Sequence, residues 1–402
     1  MVIFDLIIAF ATVCVAIVLS MRSVAYFPLW RAVVTPLASI IGSGFLLLGP
    51  ILNIGYGGYA PLIMLVLCFV AYLFGGAIRY NIASGEKAIQ DGDFGPLAIR
   101  IETLSSWALA FAYIISVSYY LNLLGAFALS LTPFKSGFDA KLLTTAVFIT
   151  IVLVGWSRGF KSLEKMEYVS VSLKLAIIAG LLVGLMAHFG HRALDDALIF
   201  NPEKVTGWSA VTLTFGLLIT VQGFETSRYL GSEYDARTRI RSMRLAQWLS
   251  TAIYLVYILL ISYVFRPDQM SPSETGIIDM MKIVAPILPF LLVAAALASQ
   301  FSAAVADTSG SGGLFAELSR KRISERQAYL LLAVIGIALT WSADIYAIVS
   351  YASRGFAIYY GLQAGLSTVI AAKQQAGWHR VGFYGLLAAL AAVIAVFGQS
   401  VE

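Results

Sequence analysis

The sequence predicts an all-α polytopic membrane protein in which two of the transmembrane helices are interrupted. Only 12% of its 402 residues are charged and 59% are hydrophobic, whereas soluble domains carry roughly 25% charged residues. Uncharged runs of about 20 residues, the length needed to cross a bilayer, recur along the whole chain. Two of these runs contain glycines grouped with polar residues, a combination that breaks a helix.

Twelve apolar stretches are candidate membrane spans. In chain order they cover residues 3–20, 29–51, 59–80, 105–131, 141–157, 167–188, 208–230, 246–265, 284–306, 328–342, 345–370 and 379–397. The first stretch differs from a secretory signal peptide, because no Lys or Arg precedes it and Asp5 lies near its start. We therefore expect it to be retained as a helix.

The distribution of positive charge supports this count and predicts an orientation. With the amino terminus outside, the inward loops hold 19 of the 27 Lys and Arg residues and the outward loops hold 6. The remaining two, Lys174 and Arg354, lie within apolar stretches. Cytoplasmic loops carry such an excess, so we expect a multi-pass protein of the plasma (inner) membrane with both termini outside. The net charge of +5 is too small and dispersed to predict nucleic acid as a partner, and nothing indicates an oligomeric state.

Two polar interruptions suggest an internal repeat. Gly42-Ser43-Gly44 interrupts the second stretch, and Gln222-Gly223-Phe224-Glu225 interrupts the seventh. Because the two stretches are five crossings apart, they run in opposite directions, which predicts a 5+5 inverted repeat with broken first and sixth core helices. The predicted domains are an extra N-terminal helix (1–25), a first repeat (26–190), a second repeat (191–372) and a C-terminal helix (373–402).

The first break has a chemical consequence. Backbone groups without helical partners at membrane depth persist only where they line a cavity or hold a ligand. The N–H groups at Gly42–Gly44 begin a half-helix, whose positive dipole end favours an anion such as a carboxylate. Close helix packing by small residues is the alternative. With a second broken helix in the chain, the pattern predicts a small-solute transporter that binds its solute near the midplane.

Short motifs at both breaks resemble those of the amino acid–polyamine–organocation superfamily. They are Ile41-Gly42-Ser43-Gly44-Phe45 and Gln222-Gly223-Phe224-Glu225-Thr226, joined by Val171–Ala176 in the fifth core helix. The resemblance implies an amino-acid-type substrate whose carboxylate meets Gly42–Gly44 and whose amino group approaches carbonyls around Thr220–Gly223. The resulting candidates for substrate binding are Ile41, Gly42, Ser43, Gly44, Phe45, Tyr119, Tyr120, Thr220, Gln222, Gly223, Phe224 and Glu225.

Two other features resemble the solute–sodium symporter family. One is the extra helix that leads into Tyr26-Phe27-Pro28, and the other is Leu297-Ala298-Ser299-Gln300-Phe301-Ser302. By that likeness sodium would be surrounded by the carbonyls of Ala38 and Ile41 together with Ser299, Ser302 and Ala303. The two resemblances imply one architecture but leave H+ and Na+ both open as the coupling ion.

Lys174 bears on this choice. A lysine in the middle of a membrane helix costs about 2.5–3.5 kcal/mol on insertion scales, so it is a functional candidate by default. In proton-coupled members of the resembled family, a lysine at the matching position occupies the sodium site and stands in for the ion. The alternative is a structural cation paired with Asp307 or Glu225. We expect Lys174 to make transport proton-linked or ion-independent.

Several other polar residues have two open interpretations. Glu225 either contacts a cationic substrate or caps the break from within, and Asp307 is either a buried acid or an inner-end residue. Arg354 either attracts an acidic substrate or forms a structural ion pair. Tyr119, Tyr120 and Asn122 lie along a helix that flanks the ligand in the resembled fold, where the tyrosines either bind a carboxylate or pack as aromatic core.

These observations predict a secondary active transporter of an amino acid or related small organic solute that works by alternating access. A sodium-coupled symporter is one alternative, and a transporter-like membrane sensor that signals through a partner is another. The sequence has no nucleophile–base pair, P-loop, dinucleotide fingerprint or metal-ligand spacing. We therefore expect no enzyme activity, no cofactor and no bound metal beyond a coupling ion.

Overall fold

A computed structural model of the chain describes residues 2–42, 44–86, 94–134, 136–158, 161–231, 233–271 and 273–399. Within these ranges all regular secondary structure is helical. The α-helices are α1 (Val2–Ser20), α2 (Arg22–Ala25), α3 (Pro28–Ile40), α4 (Gly44–Tyr56), α5 (Ala60–Ser84), α6 (Gly95–Leu129), α7 (Gly137–Arg158), α8 (Lys161–Leu194), α9 (Gly207–Gly216), α10 (Ala236–Ser262), α11 (Gly276–Val284), α12 (Leu288–Leu318), α13 (Glu325–Ser342), α14 (Ile345–Lys373) and α15 (Trp378–Phe397). Short 3-10 helices cover Gly57–Tyr59, Leu218–Val221, Phe224–Tyr229 and Pro267–Gln269.

The prediction of an all-α polytopic membrane protein is confirmed. Each of the twelve predicted stretches corresponds to one of these helices or to a broken pair. Across the described ranges, eight helical stretches are long and apolar enough to cross a membrane without interruption, and α1 is a shorter apolar helix. The predicted domain boundaries and the inverted repeat remain predictions.

The first predicted break lies between α3 and α4. Helix α3 ends at Ile40, Ile41 leaves the helical region with a ψ of 58°, and α4 begins at Gly44. Ser43, one of the predicted substrate-binding residues, lies outside the described residues. The interruption leaves carbonyls at the end of α3 without the N–H partners that a continuous helix would supply.

The second break is longer than the sequence predicts. Helix α9 ends at Gly216, and the chain continues as two 3-10 helices on either side of Gln222-Gly223. The earlier end has a visible cause, since the Ser353 hydroxyl of α14 donates to the Gly216 carbonyl at 2.7 Å and accepts the Ile219 N–H at 3.0 Å. A side chain thus takes over backbone groups that would otherwise pair within a helix. The expectation of one interruption at residues 222–225 is corrected accordingly.

Two contacts between helix ends agree with the predicted alternation of inward and outward loops. At one end, Arg239 pairs with Glu86 at 2.6 Å, and both belong to predicted inward loops. At the other end, the Gly58 N–H donates to the Asn201 carbonyl at 3.0 Å and joins two predicted outward loops. This grouping agrees with the predicted crossings, while the side that faces the cytoplasm remains a prediction from charge.

The extra N-terminal helix packs directly on α8. A Cβ atom at Gly180 would lie 2.1 Å from the Thr12 hydroxyl, and one at Gly184 would lie 2.9 Å from Ile8. Small residues four apart allow such close approach of membrane helices. The Tyr168 hydroxyl also donates to the Leu19 carbonyl at 2.7 Å. Helix α1 therefore braces α8, the helix that carries Lys174.

Candidate functional site

The two breaks pack against each other. A Cβ atom at Gly44 would lie 2.8 Å from the Thr220 Cα, and one at Gly223 would lie 2.6 Å from the Ile40 nitrogen. The Tyr254 hydroxyl of α10 lies 2.6 Å from the Ile40 carbonyl oxygen and 2.9 Å from that of Thr220. Its proton is shared between the two breaks. Glycine is required at both positions because the two backbones are in direct contact. Close packing, the alternative explanation for the glycines of the first break, therefore applies to Gly44.

Lys174 lies against the first break. This fully buried side chain donates from Nζ to the Ala38 carbonyl at 2.6 Å and to the Ile41 carbonyl at 2.7 Å. Its third contact, at 3.5 Å, is the Ser299 hydroxyl of α12. These carbonyls end α3, where the helix dipole is negative and attracts a cation.

The predicted ion-coupling residues come together around this ammonium, although not all of them touch it. The Ser299 hydroxyl donates to the Ile41 carbonyl at 3.0 Å. The Ser302 hydroxyl donates to the Ser299 carbonyl at 3.1 Å, and Ala303 is fully buried beside it. Ala38 and Ser299 are thus direct partners of Lys174, whereas Ser302 and Ala303 lie next to those partners on α12.

A narrow apolar crevice runs alongside Lys174 between α4, α8 and α12. Its cavity volume is only about 10 Å³, which is about the minimum that a single water molecule needs. Its lining is apolar apart from Lys174 and Ser299, and consists of Ile41, Gly42, Phe45, Leu46, Lys174, Ile177, Ile178, Leu181, Leu292, Ala295, Ala296 and Ser299. The wall keeps water and competing charge away from this flank of the ammonium, which strengthens its electrostatic interactions.

Glu225 caps backbone at the second break, which is the second of the two roles predicted for it. Its Oε2 accepts the Gly223 N–H at 2.9 Å and the Tyr360 hydroxyl at 2.9 Å. Phe224 stacks on the Tyr360 ring with centroids 5.2 Å apart. The carboxyl group is completely buried, and its Oε1 has no hydrogen-bond partner among the described residues.

Helix α6 connects the second break to another buried acid. The Gln222 amide donates to the Tyr120 hydroxyl at 2.9 Å. One turn earlier on α6, the Ser116 hydroxyl donates to Asp307 of α12. Asp307 is 1% exposed, which decides in favour of a buried acid. Lys174 donates to the Ala38 and Ile41 carbonyls, whereas Asp307 accepts from Ser116 and Glu225 accepts from Tyr360.

The remaining predicted residues pack against neighbouring aromatic rings or join helices. Tyr119 is buried beside the Tyr120 ring, with centroids 5.3 Å apart. Phe45 packs on the Tyr257 ring at 4.2 Å. Asn122 donates to the Ser118 carbonyl and to Thr340 on α13, so it joins two helices away from the breaks. Sequence reasoning missed Ser116 as the partner of Asp307, and its only signal was a spacing of four residues from Tyr120.

Comparison with known proteins identifies the family. A model of the APC superfamily transporter family matches residues 22–398. The chain belongs to the APC superfamily of transporters. It is 40% identical over 382 residues to an uncharacterized protein of Aquifex aeolicus, covering 93% of the chain and 92% of that protein. Uncharacterized transporters of Mycobacterium bovis and Mycobacterium tuberculosis are 20% identical over 234 residues, covering 54% of the chain and 53% of each transporter.

A solved structure supports the fold of this APC transporter. It is described as the substrate-bound outward-open state of a Na+-coupled sialic acid symporter. The two chains are 15% identical, with 98% of this chain and 96% of the other aligned at a TM-score of 0.54. At this identity the likeness shows the fold alone. Family and fold are those of a transporter and not of an enzyme.

A polar network links the second break to neighbouring helices at one end of the transporter. Arg228, at the end of the 3-10 helix Phe224–Tyr229, pairs with Glu102 of α6 at 2.9 Å and also bonds to Gln363 of α14. Asn81 of α5 donates to the Gln363 side chain at 2.9 Å. Buried polar groups of this kind hold a fixed arrangement because each needs its partners. The network therefore ties the second break to three neighbouring helices at the end predicted to be cytoplasmic.

Arg354 has a structural partner, but that partner is not an acid. Its Nε and Nη2 donate to the Gly398 carbonyl at 2.9 and 2.5 Å. This carbonyl follows the last residue of α15, where a cation also meets the negative end of the helix dipole. The Gln399 N–H donates onward to the Thr212 carbonyl of α9 at 3.0 Å. The expected ion pair is corrected to a cap on the C-terminal helix.

Replacing Arg354 with glutamine is expected to lower stability without changing substrate preference. Two charge-assisted hydrogen bonds are lost, each worth about 1.5–3 kcal/mol, so thermal unfolding of the purified protein should occur at a lower temperature. Uptake of every solute that the protein transports should fall in equal proportion, whatever the charge of the solute. The matched control is Arg241→Gln at an exposed position of α10. A selective rise in KM for acidic compounds at unchanged stability would instead support substrate recruitment.

Proposed function

We propose that this transporter moves an amino acid or related small organic solute by alternating access at the paired breaks, coupled to protons or to no ion. The observation that carries the proposal is the position of the Lys174 ammonium. It binds the Ala38 and Ile41 carbonyls and reaches Ser299, the same oxygens that the sodium-symporter resemblance assigns to the ion.

The electrostatics favour this assignment. Two unit charges about 4 Å apart repel by about 4 kcal/mol at an effective dielectric of 20. A sodium ion among oxygens already bound by an ammonium would face that repulsion and would also compete for the same lone pairs. The Lys174 side chain becomes neutral, and so able to release these carbonyls without carrying a buried charge, only by giving up a proton. A proton gradient, and not a sodium gradient, then sets its state.

The substrate site is proposed at the contact between the breaks. Helix α4 begins at Gly44, and its first N–H groups favour a carboxylate. Carbonyls around Thr220–Gly223 would receive the amino group, with Gln222 and Tyr120 alongside. The mutual packing of Gly44 on Thr220 and of Gly223 on Ile40 supports the proposed inverted repeat, because each half supplies one break to a common centre.

Sodium-coupled symport is the competing function, favoured by the likeness to a solved Na+-coupled symporter. Purified protein is first screened for compounds that raise its unfolding temperature, since ligands of the native state stabilise it. Uptake of the best compound is then measured in liposomes whose membrane potential is clamped with valinomycin, under a pH gradient alone or a Na+ gradient alone. We expect accumulation under the pH gradient, or exchange that needs neither, and no response to Na+.

Other results of this uptake experiment would support a different function. Strict dependence on Na+ would overturn the proposed coupling and pass that role to Ala38, Ile41, Ser299 and Ser302. Saturable binding without flux under any gradient would support the sensor alternative. The same assay on Lys174→Met removes the ammonium itself, and its matched control is Lys282→Met, altered at an exposed lysine of α11.

A further inference from the structure

We propose that helix α1 positions Lys174 for proton coupling by holding α8 and α12 together as one unit. The contacts that do so come mainly from Asp5, Ile8 and Thr12, all in the first half of α1. They act on the coupling site through α8 and α12, so they are positioning residues. The inference rests on the proposed proton coupling and adds to it the residues that keep Lys174 in place.

Helix α1 meets α8 on both sides of Lys174. Tyr168 precedes Lys174 by six residues, and its hydroxyl donates to the Leu19 carbonyl of α1 at 2.7 Å. Gly180 follows Lys174 by six residues, and the Thr12 hydroxyl occupies the space that a Cβ atom at Gly180 would need. Six residues correspond to about 9 Å along a helix. The two contacts therefore fix α8 above and below the lysine.

The same helix also contacts the beginning of α12. Asp5 Oδ1 accepts the Ile287 N–H at 3.3 Å. Ile287 directly precedes the first turn of α12, and its own side chain makes no capping hydrogen bond. A carboxylate at the N-terminus of a helix accepts an N–H that has no helical partner and also meets the positive end of the dipole. Asp5 therefore ties the start of α1 to the start of α12.

The three helices converge at Gly184 of α8. A Cβ atom there would lie 2.9 Å from Ile8 Cδ1 of α1 and 3.5 Å from Leu288 Cδ1 of α12. Ile8 and Leu288 are both fully buried. Protein interiors packed this closely contain little free volume and transmit strain, so a displacement of α1 at this junction would also displace α8 and α12.

A direct contact joins α8 to α12 at the level of the coupling site. The Ser170 hydroxyl of α8 donates to the Ala298 carbonyl of α12 at 2.7 Å. Ser170 lies about one turn before Lys174, and Ala298 immediately precedes Ser299. Lys174 and the Ser299 hydroxyl, which it reaches at 3.5 Å, thus belong to the unit that α1 holds together. The two carbonyls that Lys174 binds belong instead to the end of α3.

Lys174 needs this support because its hydrogen bonds tolerate little displacement. Its ammonium lies 2.6 Å from the Ala38 oxygen and 2.7 Å from the Ile41 oxygen. A shift of α8 by about 1 Å away from α3 would lengthen both distances beyond the range of a hydrogen bond. Lysine carries its charge on a flexible four-carbon stem, so the place of the ammonium is defined only when α8 is fixed. An ammonium that leaves the first break while still charged transfers no proton, and we expect transport to become uncoupled.

Gly180→Leu gives the sharpest test, because a leucine at this position would push α1 away from α8. Liposomes with the full-length protein receive a labelled mixture of the standard L-amino acids. Accumulation under a pH gradient is compared with exchange of labelled for unlabelled compounds. We expect the ratio of accumulation to exchange to fall about tenfold or more, an effect that displacements of about 1 Å can produce. Gly190→Leu is the matched control on α8, since nothing lies within 4 Å of the added carbon, and it should leave the ratio unchanged.

Two variants of Asp5 separate positioning from general stability. Asp5→Leu removes the acceptor for the Ile287 N–H, and we expect it to lower the same ratio about tenfold. Asp5→Asn keeps an acceptor oxygen, and since asparagine and aspartate cap helices about equally well, it should restore most of the native ratio. A merely structural role would instead reduce accumulation and exchange together, in proportion to the loss of folded protein.

The outcomes separate this inference from the proposed function. Full accumulation in both leucine variants, or an equal loss of accumulation and exchange, would overturn the role of α1 and leave proton coupling intact. Absence of accumulation under a pH gradient in the native protein would overturn the proposed coupling and, with it, the positioning role. If both leucine variants fail to fold, Ile8→Val decides. It removes one methylene group at the junction and should lower the ratio at least about twofold, whereas an unchanged ratio would overturn the inference.

Discussion

Lys174→Met is expected to abolish solute accumulation driven by a pH gradient. Methionine has a similar length but no exchangeable proton, so the variant lacks the group through which the pH gradient would drive transport. The Ala38 carbonyl would also lose the Lys174 donor, at a cost of about 1–3 kcal/mol for an unpaired group, while the Ile41 carbonyl would keep only the Ser299 hydroxyl. Both effects arise from one ammonium, and this makes the expected change one of the largest available in the chain.

The measurement compares two modes of transport in the same liposomes. Accumulation against a concentration gradient requires coupling, whereas exchange of labelled for unlabelled solute requires only the binding site and alternating access. Lys174→Met should lose the first and retain part of the second. Unchanged accumulation under a pH gradient would rule out Lys174 as the proton carrier. Loss of both modes in a protein that still binds solute would indicate that the ammonium is needed for the conformational change.

The smaller variant Lys174→Ala adds a second readout. Removing the whole side chain leaves the Ala38 and Ile41 carbonyls and the Ser299 hydroxyl around vacant space. These oxygens are the ligands that the sodium-symporter resemblance predicts. Na+ is therefore expected to raise the unfolding temperature of Lys174→Ala but not of the native protein, a difference that ligand linkage makes measurable. Equal responses would show that the ammonium does not exclude sodium.

Lys174 and the first break could be predicted from sequence because both violate a simple rule. A lysine among apolar residues raises the free energy of a membrane span in any sequence context, and so do two glycines that break its helix. Each can therefore be recognised as a functional candidate without knowing which residues it contacts. The identity of the carbonyls that Lys174 contacts followed from resemblance. Helical periodicity alone could not have placed α8 against the end of α3.

The features that sequence missed depend on contacts between distant segments. The early end of α9 at Gly216 is fixed by Ser353, which lies 137 residues away. Arg354 caps the end of α15 through Gly398, a backbone carbonyl that no charge pattern can reveal. In each case the deciding partner is an ordinary polar group, and only the packed structure shows that it is close.

Gly223→Ala is expected to disrupt the site more than any other single-methyl change. Gly223 has a φ of 116°, in the left-handed region that residues with a Cβ atom rarely adopt. The added carbon would also lie 2.6 Å from the Ile40 nitrogen and the Ser39 carbonyl carbon. Both are backbone atoms of α3 and cannot rotate away. Backbone strain and overpacking each cost about 1–3 kcal/mol, so we expect a loss of about 2–6 kcal/mol in stability.

Gly365→Ala provides a control of opposite sign. Gly365 lies inside α14 with nothing within 4 Å of the added carbon, and alanine in a helix interior is favoured over glycine by about 1 kcal/mol. Thermal unfolding should therefore occur at a lower temperature in Gly223→Ala and at a higher one in Gly365→Ala. Transport should be lost only in the former. Because Ser39 and Ile40 lie just before the carbonyl that Lys174 binds at Ile41, the same displacement should also weaken proton coupling. Unaltered stability and transport in Gly223→Ala would mean that the two breaks are not in the tight contact on which this site depends.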